Sequence, residues 1–313
     1  MDALAGLLEG PRASGAFMLR IVLDPPWSIR VQDGSPLALI AMTSGDGWIA
    51  HDNGDRVRIG VGDVAVVRGD EPYLLADDPN AEPQVIVHPG QRCQTPDGVD
   101  LYEEMSLGVR TWGSGPDGSV TMMLGVYEEV GAVGQRLLDA LPRTVVMSDD
   151  SWDAALLSVL GREITKDVPA QKVVLDRLLD LLLISVLRAW FDRPEAEAPG
   201  WYRAHADPVL GQALRLLHEN PSYPWTVGEL ADKTGLSRAA LARSFTDMVG
   251  VPPMTYLTEW RLALAADLLR NPDVTLDAVS RQVGYGSGFA LSAAFKRVRG
   301  VSPQEHRVGA TAG

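Results

Sequence analysis

The sequence predicts an α+β protein of two domains, an N-terminal β-barrel or sandwich with accompanying helices and a C-terminal all-helical domain. Three observations predict it. Short apolar runs punctuated by turn residues fill Met18 to Tyr127, apolar spacing becomes helical after Leu137, and one bihelical pattern occurs twice near the end. The 313 residues, 46% of them hydrophobic, are enough for about two globular domains.

In the first region, runs such as LRIVL, LALIAM, WIA, VAVV and QVIVH alternate with DPP, SGDG, DNGD, GVGD and DDPNAEP. Short strands separated by Gly, Pro, Asn and Asp are the pattern of a closed or two-layered β structure. From Leu156 the apolar positions recur at helical spacing, and a longer helix is predicted from Ala170 to Phe191. Its apolar set is wider than one core-facing stripe needs, so Leu175, Leu179, Leu182 and Val186 are candidates for an isologous dimer contact, with burial against the chain's own barrel as the alternative. The stretch from Asp192 to Asp207, DRPEAEAPGWYRAHAD, reads as a linker. The predicted boundaries are therefore a barrel over 1–136, a helical dimerisation segment over 137–192, a linker over 193–206 and a helical domain over 207–313.

Within that domain, Thr226 and Glu229 have capping-box spacing, Ala231 is small enough for a close helix crossing, Gly235 permits a left-handed turn and Ser237 caps a second helix. The pattern returns with Ser280 for Ala231, Gly284 for Gly235, Leu291 for Leu241 and Phe295 for Phe245. A predicted helix over Met254 to Arg270 joins the two units. At 1.5 Å per residue it is about 25 Å long, so with its flanking turns it suits two recognition helices one DNA turn, ~34 Å, apart.

Charge supports a polyanionic partner only at this end. Residues 1–206 hold 17 basic and 31 acidic side chains, whereas 207–313 hold 11 and 10, and Arg281, Lys296, Arg297, Arg299 and Arg307 cluster against Glu305 alone. One cysteine excludes an internal disulfide, and with an N-terminus lacking signal-peptide character the expected location is the cytoplasm. The longest apolar stretch, Leu178 to Trp190, is too short and too charged for a membrane helix, so no membrane partner is expected.

The segment LADKTGLSRAALARSFTDMVGVPPMTYLTEWRLALAADLL followed by VGYGSGFALSAAFKRVRGVSPQEHR resembles the DNA-binding domain of the AraC/XylS transcriptional regulators. RIGVGDVAVVRGDEPY, LLDLLLISVLRAWF and APGWYRA are similar to the cupin-type sensing domain of one branch of that family. The resemblance implies a regulator of double-stranded promoter DNA, a homodimer, with a small-molecule effector and RNA polymerase as candidate partners. It places Ser237, Arg238, Ala239, Ala242 and Arg243, and Ser287, Gly288, Phe289, Ser292 and Ala293, on the two recognition helices as candidate DNA-binding residues. Arg243 is the expected guanine contact. Lys296, Arg297 and Arg299 are the expected phosphate contacts, and Phe289 is read as core rather than as a thymine contact.

A metal-binding cupin needs about three ligands at one barrel mouth. Only His51 and His88 fall in the barrel, and Tyr73 stands where histidine is usual, so no metal, cofactor or enzyme activity is expected. Trp27, Met42, Trp48, His51, Tyr73, His88 and Trp112 are the expected pocket residues for an organic effector. Cys93, beside Arg92 and near His88, is a redox candidate if those neighbours lower its pKa. A cupin enzyme fused to a helical interaction module, a redox-responsive regulator and a constitutive regulator remain the alternatives.

Overall fold

The computed structural model describes residues 16–148, 155–193 and 198–311. They form two compact units, one from the described residues of 16–130 and 141–193, the other from 131–140 and 198–311.

The first unit is a two-layered β structure. One sheet runs from edge to edge as β10 (Ser106–Gly108), β11 (Thr111–Gly113), β1 (Phe17–Leu23), β12 (Val120–Tyr127), β3 (Leu37–Ser44), β6 (Val64–Arg68) and β13 (Thr144–Met147). The other runs as β5 (Arg56–Ile59), β4 (Gly47–His51), β7 (Tyr73–Ala76), β2 (Ser28–Val31), β8 (Val85–His88) and β9 (Arg92–Gln94). Most neighbours are antiparallel, while β1 pairs with β11 and β2 with β8 in parallel. Ile21, Ile40 and Met42 of the first sheet meet Ile29, Ile49 and Leu75 of the second in one core.

Two helices accompany this unit, α2 (Ala155–Ile164) and α3 (Gln171–Phe191). Leu175, Leu179, Leu182 and Val186, the expected dimer stripe, are 2%, 1%, 2% and 0% exposed. The correction has a simple cause: β12 carries Gly125, and a Cβ there would stand 2.4 Å from Leu179 Cδ1, so the sheet leaves a groove that this stripe fills. Burial on the chain's own sheet, the alternative weighed above, is what occurs. The face left exposed carries Val174 and Leu181, with half-buried Leu178 between them.

The second unit holds α1 (Ala132–Leu138), α4 (Gly200–Ala206), α5 (Leu210–Glu219), α6 (Val227–Thr234), α7 (Arg238–Val249), α8 (Pro253–Leu269), α9 (Leu276–Val283), α10 (Gly288–Arg299) and α11 (Pro303–Thr311). Residues 200–206, expected within a linker, form a helix because Ala204 is fully buried in the core of the α5–α7 region. Residues 194–197 of that expected linker lie outside the described residues.

Long α8 is buried on several sides, as a helix with three partners must be. Tyr256 and Leu257 complete the core around α6 and α7, while Leu262, Ala265, Ala266 and Leu269 complete the core around α9 and α10. Trp260 and Ala263 pack with Val133 of α1. Asp267 accepts hydrogen bonds from the backbone N–H groups of Ala132 and Val133, which satisfies two free donors at the start of α1.

Candidate nucleic-acid interface and barrel cavity

Both bihelical units are built by local capping. Glu229 N–H donates to Thr226 Oγ1 at 3.1 Å, and Thr226 N–H donates back to the Glu229 carboxylate at 2.9 Å. Gly235 and Gly284 end α6 and α9 in the left-handed region, at φ 74° and 85°, where a side chain would be strained. Ser237 and Ser287 then accept from Ala240 N–H and Ala290 N–H, each at 3.2 Å, and start α7 and α10. Leu241, Phe245, Leu291 and Phe295 are fully buried, which fixes the opposite helix faces outward.

On α7, Arg238, Ala239 and Arg243 are exposed and Ala242 is half-buried. The Arg238 guanidinium lies back against Gly228, where a Cβ would fall 2.7 Å from Nε. Arg243 makes no ion pair among the described residues, so its planar fork of donors is free for a carbonyl and a ring nitrogen on one base edge.

On α10 the structure corrects the sequence reading. Phe289, expected in the core, is 85% exposed. Gly288, expected to face bases, is buried against α9: its N–H donates to Asp277 Oδ1 at 3.0 Å, and a Cβ would stand 2.7 Å from the same oxygen. The two exchange places because Gly288 alone permits α10 to start this close to α9, and the next side chain must then point away. Ala293 is exposed and Ser292 half-buried. Lys296 and Arg297 are exposed, whereas Arg299 is half-buried, with its guanidinium carbon 5.7 Å from the centre of the Phe295 ring. Arg281 at the end of α9 is exposed.

In the β unit, a cavity of about 480 Å³ is lined by Ile21, Val31, Leu75 and Leu124, together with Tyr73, Cys93 and Trp112. Its size falls within the ~300–1,000 Å³ of small-molecule sites. Of the seven expected pocket residues, Tyr73 and Trp112 line it. Trp27 and Met42 are core fillers. Trp48 and His88 alternate with inward Ile49 and Val87 along their strands and so take the other face. His51 is the cross-strand neighbour of Tyr73, but its Nε2 is taken up by Thr144 Oγ1 at 2.7 Å, and burial together with the Arg143 charge lowers its pKa.

Two polar groups in the lining are distinctive. Trp112 is 6% exposed, and its fully buried indole N–H has no acceptor among the described residues. Cys93 lies at the wall with its Sγ 3.8 Å from Gln91 O, and burial, helped by Asp100, pushes its pKa up to about 11. The expected lowering by Arg92 and His88 is thus reversed, and the thiol is protonated at neutral pH. Among the described residues no three His, Cys, Asp or Glu side chains are grouped to hold a metal ion, and no helix is long and apolar enough to cross a membrane.

Comparisons with known proteins agree with this division. The cupin family profile matches residues 2–192, and a helix-turn-helix domain profile matches residues 230–308. A putative AraC-like transcription regulator of Streptomyces lividans is 31% identical over 98% of each chain. The HTH-type transcriptional regulator AlkR of Acinetobacter baylyi is 34% identical over 56% of this chain and 59% of its own. Among solved structures, an AraC-type DNA-binding domain protein of Chromobacterium violaceum is 28% identical over 34% of this chain and 96% of its own, with a TM-score of 0.32. The chain belongs to the AraC-like transcription regulators that carry a cupin domain ahead of a DNA-binding helix-turn-helix domain.

Proposed function

We propose that this DNA-binding regulator acts as a homodimer, that α7 and α10 of each subunit enter successive major grooves of promoter DNA, and that a small organic molecule in the barrel cavity controls the binding. The free fork of Arg243 on α7 and the exposed pair Lys296 and Arg297 on α10 support the DNA-binding assignment. Arg243 reads a guanine, and the α10 cations hold phosphates.

The observation that carries effector control is the largely apolar cavity, whose lining includes the Trp112 indole with an N–H that has no acceptor among the described residues. A buried donor without an acceptor costs about 1–3 kcal/mol, and a ligand oxygen or ring nitrogen removes that cost. Tyr73, on the other sheet, lines the same cavity and offers a second polar tip. An occupant that favours one of two dimer states shifts the population that binds DNA.

The dimer is assigned to the exposed face of α3. Val174, Leu178, Leu181, Ser185 and Arg188 recur at intervals of four and three residues, the spacing of a helix–helix seam. An enzymatic role for the barrel is not adopted, because the relatives that match along the full length are named as transcription regulators. RNA polymerase remains the candidate protein partner.

The test is a mobility shift on DNA fragments selected from the genome by the full chain, repeated with a panel of small molecules and with Trp112→Phe. The reading expects at least one compound that alters operator occupancy and melting temperature for the natural chain and less so for W112F. An operator that is bound identically with every compound discards effector control, and failure to select any sequence discards the regulator itself.

A further inference from the structure

Phe289 is the second residue of α10 and stands 85% exposed, while Phe245 and Phe295, which seal the two bihelical cores, are fully buried. Its outward direction is imposed by its neighbours. Ser287 caps the helix, Gly288 is pressed on Asp277, and no ring contact or core cluster takes up the phenyl group among the described residues. Around it, Gly286, Ala290 and Ala293 are exposed and short, so the ring is the tallest group at the start of α10.

This is the end of a recognition helix that meets base edges. The first two turns of α10, Gly288 to Ala294, contain no Arg, Asn or Gln, so they hold no bidentate reader of guanine or adenine. Lys296 and Arg297 follow seven and eight residues later on the same side, about 10–12 Å along the axis, where they suit a phosphate strand at the groove edge. An apolar ring at base level with cations at backbone level matches one feature of the major groove. The C5-methyl group of thymine is the apolar group that the four base pairs present there.

We propose that Phe289 makes the second unit a thymine reader, its ring packed on the C5-methyl of one or two thymines in the groove entered by α10. This rests on the reading that α10 enters the major groove.

The experiment uses the full chain and a duplex obtained by selection, with each thymine replaced in turn by deoxyuridine, which removes the methyl group and nothing else. Binding is followed by fluorescence anisotropy for the natural chain, Phe289→Ala and Phe289→Leu. Because Phe289 is solvent-exposed, neither substitution disturbs the core, and circular dichroism checks this. The natural chain is expected to lose about fourfold affinity at one or two positions, the worth of one buried methyl. F289A is expected to bind the thymine duplex that much more weakly and to be indifferent to uracil there, with F289L between the two.

Equal uracil sensitivity in the natural chain and F289A, or none in either, overturns the thymine assignment and leaves the regulator reading standing. Weaker binding by F289A without any uracil effect also overturns it, in favour of a ring wedged between base steps. If the natural chain does not prefer the selected duplex to a scrambled one, the regulator reading falls, and this assignment with it.

Discussion

The two faces of α3 give opposite answers when each is cut. Leu179 is 1% exposed and lies over Gly125, where the sheet has no side chain that can move into a gap. Leu179→Ala should therefore fall in the upper part of the usual range for buried leucine, about 3–5 kcal/mol. Leu181 is 45% exposed, so Leu181→Ala loses only part of a leucine's burial within the subunit, about 1 kcal/mol or less. In a dimer with α3 at its centre, however, Leu181 is lost twice, and two buried leucines at ~1.5–3 kcal/mol each weaken association by at least a hundredfold. Urea unfolding followed by tryptophan fluorescence measures the first effect, and sedimentation equilibrium measures the second. The reasoning is refuted if L179A keeps its stability while dissociating the dimer, or if L181A leaves the dimer intact.

On DNA, Arg243→Ala should cost about 1–3 kcal/mol and relax preference at one base pair, whereas Arg297→Ala should weaken every sequence alike and reduce the slope of log K against log salt by about 0.9; competition binding at several salt concentrations separates them. His51 has a pKa lowered in the folded state by burial and by Arg143, so the unfolded chain binds its proton first as pH falls. Its contribution is complete above the unfolded value near 6.5 and is lost as pH falls below it, so melting of the β unit should drop between pH 7 and 5 and do so less in His51→Gln. Cys93, with its pKa near 11, should react with iodoacetamide slowly at pH 7.5 and steeply faster above pH 10; rapid alkylation at neutral pH would show that Arg92 governs the thiol after all. Asp267→Ala strips the acceptor from two backbone donors of α1 and should destabilise the helical unit by about 1–3 kcal/mol, seen as earlier hydrogen exchange at Ala132 and Val133.

Local signals carried the helical unit into the sequence. The capping box at Thr226 and Glu229, the left-handed turns at Gly235 and Gly284 and the caps at Ser237 and Ser287 are contacts within a few residues, and they are legible because nothing distant overrides them. The barrel was legible as a class for the same reason, since its turns are written in Gly, Pro, Asn and Asp. What escaped was set by distant partners. The stripe of Leu175 to Val186 is apolar whether it faces a second subunit or a sheet, and only Gly125, fifty residues earlier, decides between them. Phe289 looks like core until Gly288 is seen pressed on Asp277, although a glycine opening a capped helix was a signal that could have been used. Pocket residues were the least legible, because strand alternation turns on a one-residue register, and Trp48 and His88 fall on the wrong parity. The short helix at 132–138 gave no sign in its own residues that its amides are held by Asp267.

The central claim is that one subunit reads a duplex with two separate helices, and hydroxyl-radical footprinting on a selected operator addresses it most directly. The account predicts, within each half-site, two protected patches on one side of the helix about 10 base pairs apart, with R243A fading one and R297A the other. A single patch, or one that both substitutions erase together, would contradict it.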